Sequence, residues 1–216
     1  MKISSIKKLK EKLQLFNILI FDLDDTIFMQ SHYDNPALKN VSKFLSKILD
    51  LNSTKIFLDL RKLKKLKRGK HPLLVFDKYL KKKISDNKKL NSIIKKSVKI
   101  FQSYNCDSLN KAPSLKKLII DLSKQKTLFL VTNGNLERQK RKIKHLNLNS
   151  FFKKIFILDG VKKKTKPNIV DVKYLVNYLK KKKLKKATYI GDNVDTDKEF
   201  AKNLNIRFIN FEFNGY

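Results

Sequence analysis

Three carboxylates, Asp22, Asp24 and Asp25, follow directly on the apolar run "FNILIF" (16–21). Three more, Asp192, Asp195 and Asp197, follow the apolar run "ATYIG" (187–191). Six of the chain's 19 acidic residues thus fall in ten positions, 22–25 and 192–197, in a protein whose formal net charge is +32. A solvated charge run accounts poorly for that placement. Crowded carboxylates raise one another's pKa values and cost stability unless something compensates them. A divalent cation would do so, and oxygen-only donors point to Mg²⁺ rather than zinc. The single cysteine, Cys106, excludes an internal disulfide and a multi-cysteine zinc site, and is read as a small, partly buried residue.

The elements that must carry these acids can be read from periodicity. Continuous apolar runs at 16–21, 127–134, 154–158, 187–193 and 206–213 are the pattern of strands buried on both faces of a parallel sheet. Helical patterns separate the later runs: "LERQKRKIKHL" (136–146), with Leu136, Ile143 and Leu146 on one side, then 168–183 and 197–204. Strands alternating with helices imply right-handed crossovers and a doubly wound, Rossmann-like α/β sheet. Ligands in such sheets bind beyond the carboxyl ends of the strands, where Asp22 and Asp192 fall.

About a hundred residues between the first two strands lack a comparable run. They read as helices at 37–49, 53–67, 71–83 and 89–104, with 112–125 as the crossover helix back to the sheet. A structureless loop of that length is implausible. The expected organisation is a Rossmann-like core of 1–29 and 109–216 with a helical insertion at 30–108 that folds as a small domain of its own. The N-terminal "MKISSIKKLKEKLQLF" lacks the apolar core of a secretory signal and reads as a short amphipathic helix with Ile6, Leu9, Leu13 and Phe16 on one side. No run approaches the roughly 18 apolar residues of a membrane span, so a cytoplasmic protein is expected.

The basic charge is lysine charge. Five arginines (61, 68, 138, 141 and 207) leave 46 lysines among the 51 basic residues, in runs such as 81–83, 162–164 and 180–183. Nucleic-acid readers draw on arginine's fork. A lysine excess spread along the whole chain reads as compositional bias, and nucleic acid is not the expected partner. The field should still draw anionic small molecules. His32, His71 and His145 have no Cys or His partner at ligand spacing and read as surface residues. Arg61 and Arg68 read as a solvated helix face.

Four motifs then carry a resemblance. "DLDDT" (22–26) resembles the DxDxT nucleophile loop of the haloacid dehalogenase superfamily. "LVTNG" (130–134) resembles its second motif, a strand ending in Thr or Ser. Lys166-Pro167 resembles the third, a lysine opening a helix, and "GDNVDTD" (191–197) the fourth, GDxxxxD. They occur in the family's order and span nearly the whole chain. The lysine-rich stretch before Lys166 departs from the pattern.

The resemblance implies a Mg²⁺-dependent phosphatase. Asp22 would be the nucleophile, forming an aspartyl-phosphate, and Asp24 the general acid and then the base. Asp22, Asp192 and the Asp24 backbone carbonyl would hold the metal, with Asp197 supporting. Thr132, Asn133 and Lys166 would bind the substrate phosphate. Thr26 would help position the loop, Asp25 would cap or meet backbone amides, and Asp195 would be structural. An acid at position 24 favours a phosphatase over a dehalogenase, whose halide departs without a proton. The helical insertion at 30–108 resembles the cap domain of phosphoglycolate phosphatases, nucleotidases and sugar-phosphate phosphatases, around a catalytic core of 1–29 and 109–216. The expected partner is a small phosphorylated substrate, met by a monomer or homodimer. Two alternatives stand beside this reading. One is a nucleic-acid-binding protein or nucleic-acid-end phosphatase using the basic surface, and the other is a sugar phosphomutase or phosphotransferase of the same fold.

Overall fold

The computed structural model describes residues 2–66, 72–111, 113–160, 165–181 and 186–214. Arg68, His71, the lysine run 162–164 and the end of the run 180–183 lie outside them. The chain divides into two compact units, Met1–Gln30 with Leu109–Tyr216, and Ser31–Ser108.

In the first unit, helix α1 (Ile6–Leu13) buries Leu9 and Leu13. Five strands follow among the described residues: β1 (Ile18–Phe21), β2 (Thr127–Asn133), β3 (Lys154–Leu158), β4 (Ala187–Gly191) and β5 (Arg207–Asn210). They form one sheet in the order β3-β2-β1-β4-β5, with every pairing parallel. The α/β, Rossmann-like class expected from the sequence is the class observed. β1 and β4 are buried at every residue, as strands with helices on both faces must be. β3 is different. It lies at an edge and Lys154 is exposed, so its apolar run is covered on one side only. Beside the other edge strand, Ile3 bridges to Phe211, the Ile3 N–H donating to the Asn210 carbonyl (2.9 Å). That contact blunts an open sheet edge.

The second unit is helical: α2 (Ser31–Leu49), α3 (Ser53–Leu66), α4 (Pro72–Leu80) and α5 (Asn87–Gln102). Its centre is aromatic. Tyr33 meets Phe101 edge-on at 5.7 Å and Tyr104 at 5.5 Å, and its hydroxyl donates to the Phe101 carbonyl (2.7 Å). Asp86 caps α5 by accepting the Lys89 N–H (2.8 Å), which satisfies one of the orphan donors of a helix start. Arg61 is exposed, as read.

The remaining helices return to the sheet: α6 (Lys116–Ser123), α7 (Leu136–His145), α8 (Lys173–Lys181) and α9 (Glu199–Asn203). Val172, Leu175, Leu179, Phe200 and Leu204 pack against Ile18, Ile20, Phe129, Val131 and Tyr189 on one sheet face. Two helices start later than their apolar patterns suggest. A 3-10 turn, Val170–Val172, precedes α8, where Asn168 accepts the Val170 N–H. A wide π turn, Val194–Lys198, precedes α9. The inner face of α7 also differs from the reading. Leu136 is exposed (39%), and the buried residues are Gln139, Lys142, Ile143 and Leu146, which follow the i, i+3, i+4, i+7 spacing of one helix face. Among the described residues, no helix is long and apolar enough to cross a membrane.

Candidate active site

Register brings the motifs to one end of the sheet. Phe21 of β1 lies opposite Leu130 of β2 and Ile190 of β4. The next residues onward are therefore Asp22 on the first strand, Val131 and Thr132 on the second, and Gly191 and Asp192 on the third. The Asp22 N–H donates to the Ile190 carbonyl (2.8 Å), which keeps this residue in the sheet pattern. Asp25 then adopts a left-handed conformation (φ 57°), and the chain turns away. Its carboxylate accepts the Gln30 N–H (2.9 Å) and its carbonyl accepts the Phe213 N–H (2.9 Å). Thr26 is fully buried, its hydroxyl without a hydrogen-bond partner among the described residues.

Lys166 is the hub of the site. The residue is buried (4% exposed), and its ammonium donates to Asp22 Oδ1 (2.7 Å), Asp197 Oδ1 (2.6 Å) and the Tyr189 hydroxyl (2.9 Å). The Tyr189 hydroxyl donates in turn to the Val131 carbonyl (3.1 Å). Asp197 is pinned from its other side by the Asn193 N–H on Oδ2 (3.1 Å). Gly191 makes room for this. A Cβ there would overlap Asp197 Oδ2 and stand 2.9 Å from Asp197 Cβ, so only glycine admits the carboxylate. Asp195 is exposed, its N–H donating to Asn193 Oδ1 (3.0 Å).

Carboxylate oxygens of Asp22, Asp192 and Asp197 lie within 4.8 Å of one another. Three carboxylates against one ammonium leave two negative charges, the charge a divalent cation would balance. The pKa of Asp22 shows the same deficit. Burial pushes it well above its ordinary value of 3.8; Lys166 opposes that, and the charges of Asp197 and Asp192 add to it. Burial works against the charged form of Lys166, but the Asp197 and Asp22 charges outweigh it and the ammonium is held more tightly than usual. Burial also raises the Tyr189 hydroxyl, and the neighbouring Asp197 and Asp22 charges raise it further, so it stays protonated. The donor set is all oxygen and carries the right residual charge for Mg²⁺.

The Asp24 side chain stands apart from this cluster. Its Oδ1 accepts from Lys142 Nζ (2.8 Å) and its Oδ2 from Gln139 Nε2 (3.0 Å). Burial raises its pKa, but the Lys142 charge and hydrogen bond, the Arg138 charge and the Gln139 hydrogen bond more than offset this and lower it. Gln139 Nε2 also donates to the Thr132 hydroxyl (2.8 Å) and the Asn133 carbonyl (3.2 Å). Thr132 is buried (1% exposed), and because its oxygen accepts from Gln139 its own hydrogen is left for another acceptor. Asn133 Oδ1 accepts the Lys166 N–H (2.9 Å), which ties the second motif to the third.

Asp22, Lys166, Asp192, Asp197, Thr132 and Asn133 therefore gather at one end of the sheet. Gln139, Lys142 and Tyr189 join them although their motifs do not mark them. The helical spacing of 139, 142, 143 and 146 is the signal that places the first two inward. Tyr189 stands two positions before Gly191, and its place in an apolar run gives no sign of a polar task.

The family model for haloacid dehalogenase-like hydrolases matches residues 19–211. Solved structures share the fold at low identity. A candidate phosphatase from Clostridium difficile superposes with a TM-score of 0.66 at 17% identity, over 93% of this chain and 86% of that one. A candidate hydrolase, YfnB from Bacillus subtilis, in a structure bound to magnesium, gives 0.55 at 18%, over 89% and 85%. A 2-haloacid dehalogenase from Pseudomonas syringae gives 0.50 at 20%, over 90% and 86%. No curated protein matches the sequence.

Proposed function

The chain belongs to the haloacid dehalogenase-like hydrolases, and on that premise we propose that it is a Mg²⁺-dependent phosphatase of a small phosphorylated metabolite. One observation carries the reading: an acid two residues beyond the nucleophile, Asp24, with both its oxygens held by N–H donors. A halide leaves without a proton, so a dehalogenase has no use for that acid. An alkoxide leaving group requires one.

A phosphate monoester is a dianion that repels an attacking carboxylate. Lys166 lowers that repulsion, and the Thr132 hydroxyl donates to a phosphate oxygen. Asp22, Asp192 and Asp197, with the Asp24 carbonyl, are the groups that would hold Mg²⁺; the ion would supply positive charge to both the Asp22 carboxylate and the phosphate. In the first half-reaction the Asp22 carboxylate forms a bond to phosphorus, the ester P–O bond breaks, and the departing oxygen takes a proton from Asp24. In the second, Asp24 takes a proton from the water that attacks the aspartyl-phosphate, releasing phosphate and the Asp22 carboxylate. Asp24 is anionic at rest beside Lys142, the state the second half needs. The charge of an arriving dianion favours the protonated form that the first half needs. Residues 30–108 serve in this reading as the cap that selects the substrate, and Asp195 has no part in the chemistry.

The test is phosphate release from a panel of sugar, nucleoside and glycolate phosphates, with Mg²⁺ and with chelator. Halide release from 2-haloacids without phosphate release would overturn the reading. Transfer of the phosphoryl group to a sugar instead of water would assign a mutase. Retention on nucleic acid that falls steeply with salt would favour the nucleic-acid alternative.

A further inference from the structure

Lys142 is a lysine with no exposed side-chain surface, three-quarters of the way along a helix whose other lysines face water. Burying an ammonium is costly unless it is paired. Its Nζ bonds Asp24 Oδ1 (2.8 Å) and Gln30 Oε1 (2.9 Å) and stands 5.6 Å from the centre of the Phe28 ring. One turn earlier on the same face, Gln139 is fully buried, and its amide nitrogen faces Asp24 Oδ2, Thr132 Oγ1 and the Asn133 carbonyl. Two of those three groups cannot donate, so the amide orientation is fixed by its surroundings. Its own Oε1 is buried with no hydrogen-bond partner among the described residues. Gly134 admits the arrangement. It sits at φ 146°, and a Cβ there would approach Gln139 to 3.2 Å.

We propose that Lys142 and Gln139 are the positioning residues of this site, Lys142 fixing the Asp24 carboxylate and Gln139 joining that carboxylate to the Thr132 hydroxyl. This inference rests on the phosphatase reading and adds to it. A carboxylate on a turn has rotational freedom that would blur the direction of proton transfer. Donors on both oxygens remove it. Gln139 also turns the hydroxyl hydrogen of Thr132 outward by occupying one of its lone pairs. Geometry held to a fraction of an ångström is what a supporting shell contributes to catalysis.

The experiment uses the full chain with Mg²⁺ and two esters, p-nitrophenyl phosphate and phenyl phosphate. Phenolate is the poorer leaving group and needs the proton from Asp24 more. Lys142→Met and Gln139→Leu remove the N–H groups at nearly constant volume. Lys142→Met should lower the first-turnover rate of phenolate release from phenyl phosphate about 10–100-fold, the range of supporting-shell losses, with a much smaller loss in the first-turnover release of nitrophenolate and little change in KM. In an Asp24→Asn background the same substitution should change kcat by less than about twofold, because Lys142 acts only through Asp24. Gln139→Leu should keep an effect in that background, seen as a raised KM through Thr132. Equal losses of Lys142→Met on both esters, or an undiminished loss in the Asp24→Asn background, would overturn the positioning role. Melting curves accompany each variant. If Lys142→Met does not fold, Lys142→Gln takes its place, and if neither folds, the lysine supports the fold and the proposal falls. A parent chain that releases phosphate from neither ester overturns the phosphatase reading first, before any variant is compared.

Discussion

Lys166 Nζ stands 2.7 Å from Asp22 Oδ1, with only 3% and 9% of the two side chains exposed. The pair is buried, and it is not balanced, because Asp197 and Asp192 share the same lysine's surroundings. Removing one partner from such a group leaves the rest uncompensated, which is more damaging than the pair is stabilising. Lys166→Met should therefore cost about 3–5 kcal/mol of stability and reduce phosphate release to background. Urea titration with and without Mg²⁺ measures the first effect, and added Mg²⁺ should recover part of it.

Chelator should abolish phosphate release and Mg²⁺ should restore it. The melting temperature should rise with Mg²⁺ concentration, since an ion that relieves repulsion among native carboxylates binds the folded state alone. Full activity in chelator would remove the metal from the mechanism.

The two aspartates of the first motif should separate by leaving group. Asp22→Asn should form no phosphoenzyme from any ester. Asp24→Asn should lose about 10²–10⁴-fold on alkyl phosphates but still give a burst of nitrophenolate from p-nitrophenyl phosphate, followed by slow turnover. A burst from Asp22→Asn and none from Asp24→Asn would reverse the assignment.

Stability without metal should depend on pH through Asp22. Its folded pKa is raised above the ordinary 3.8, so the folded state binds the proton more tightly than the unfolded chain. Stability from this group is therefore full below the unfolded pKa and is lost as pH rises from about that value through the raised one. Asp24 has the opposite sign. Its folded pKa is lowered, so its contribution is present above 3.8 and is lost as pH falls through the lower value. Asp22→Asn in chelator should accordingly melt higher than the parent at neutral pH. The difference should shrink as the pH is lowered towards 4, and it should reverse in Mg²⁺.

Gly191→Ala should cost about 1–3 kcal/mol as an overpacked site and should displace Asp197, whose Cβ would lie 2.9 Å from the new methyl. A loss of Mg²⁺ affinity measured by calorimetry would accompany the fall in stability.

Much of this arrangement is legible in the sequence because buried parallel strands need continuous apolar runs, and three of the motif residues end such runs. Asp22, Thr132 and Asp192 are found that way. Lys166 is found by its proline and its place in the motif order, since nothing else distinguishes it among 46 lysines. The direction of Asp24 is not legible. Residues i and i+2 share a face in a strand, but the chain leaves the sheet after Asp22 and turns at Asp25, so the two carboxylates meet different lysines. Lys142 and Gln139 escape notice because polar residues on a lysine-rich helix read as its wet face. Only the position of Ile143 and Leu146 on the same side shows that they turn inward. Leu136 misleads for the converse reason, an apolar residue left exposed at the first turn.

The order of strands across the sheet fixes an order of events during synthesis. β1 sits at the centre, yet its partners for Ile18 are Thr127 and Ala187. The central strand thus leaves the ribosome long before either neighbour exists. The helical unit that follows it is continuous in sequence, so even its contact of Tyr33 with Phe101 spans less chain than the pairing of Ile18 with Thr127, and contacts closer in sequence form faster. It can close while "ILIF" is still without hydrogen-bonding partners, an exposed apolar segment of the sort chaperones shield. Ile3 waits longer still, because its partner Phe211 follows both of those strands in the chain. A nascent chain halted before residue 187 should therefore carry a finished helical unit beside an unfinished sheet, and should be far more prone to aggregate than the released protein.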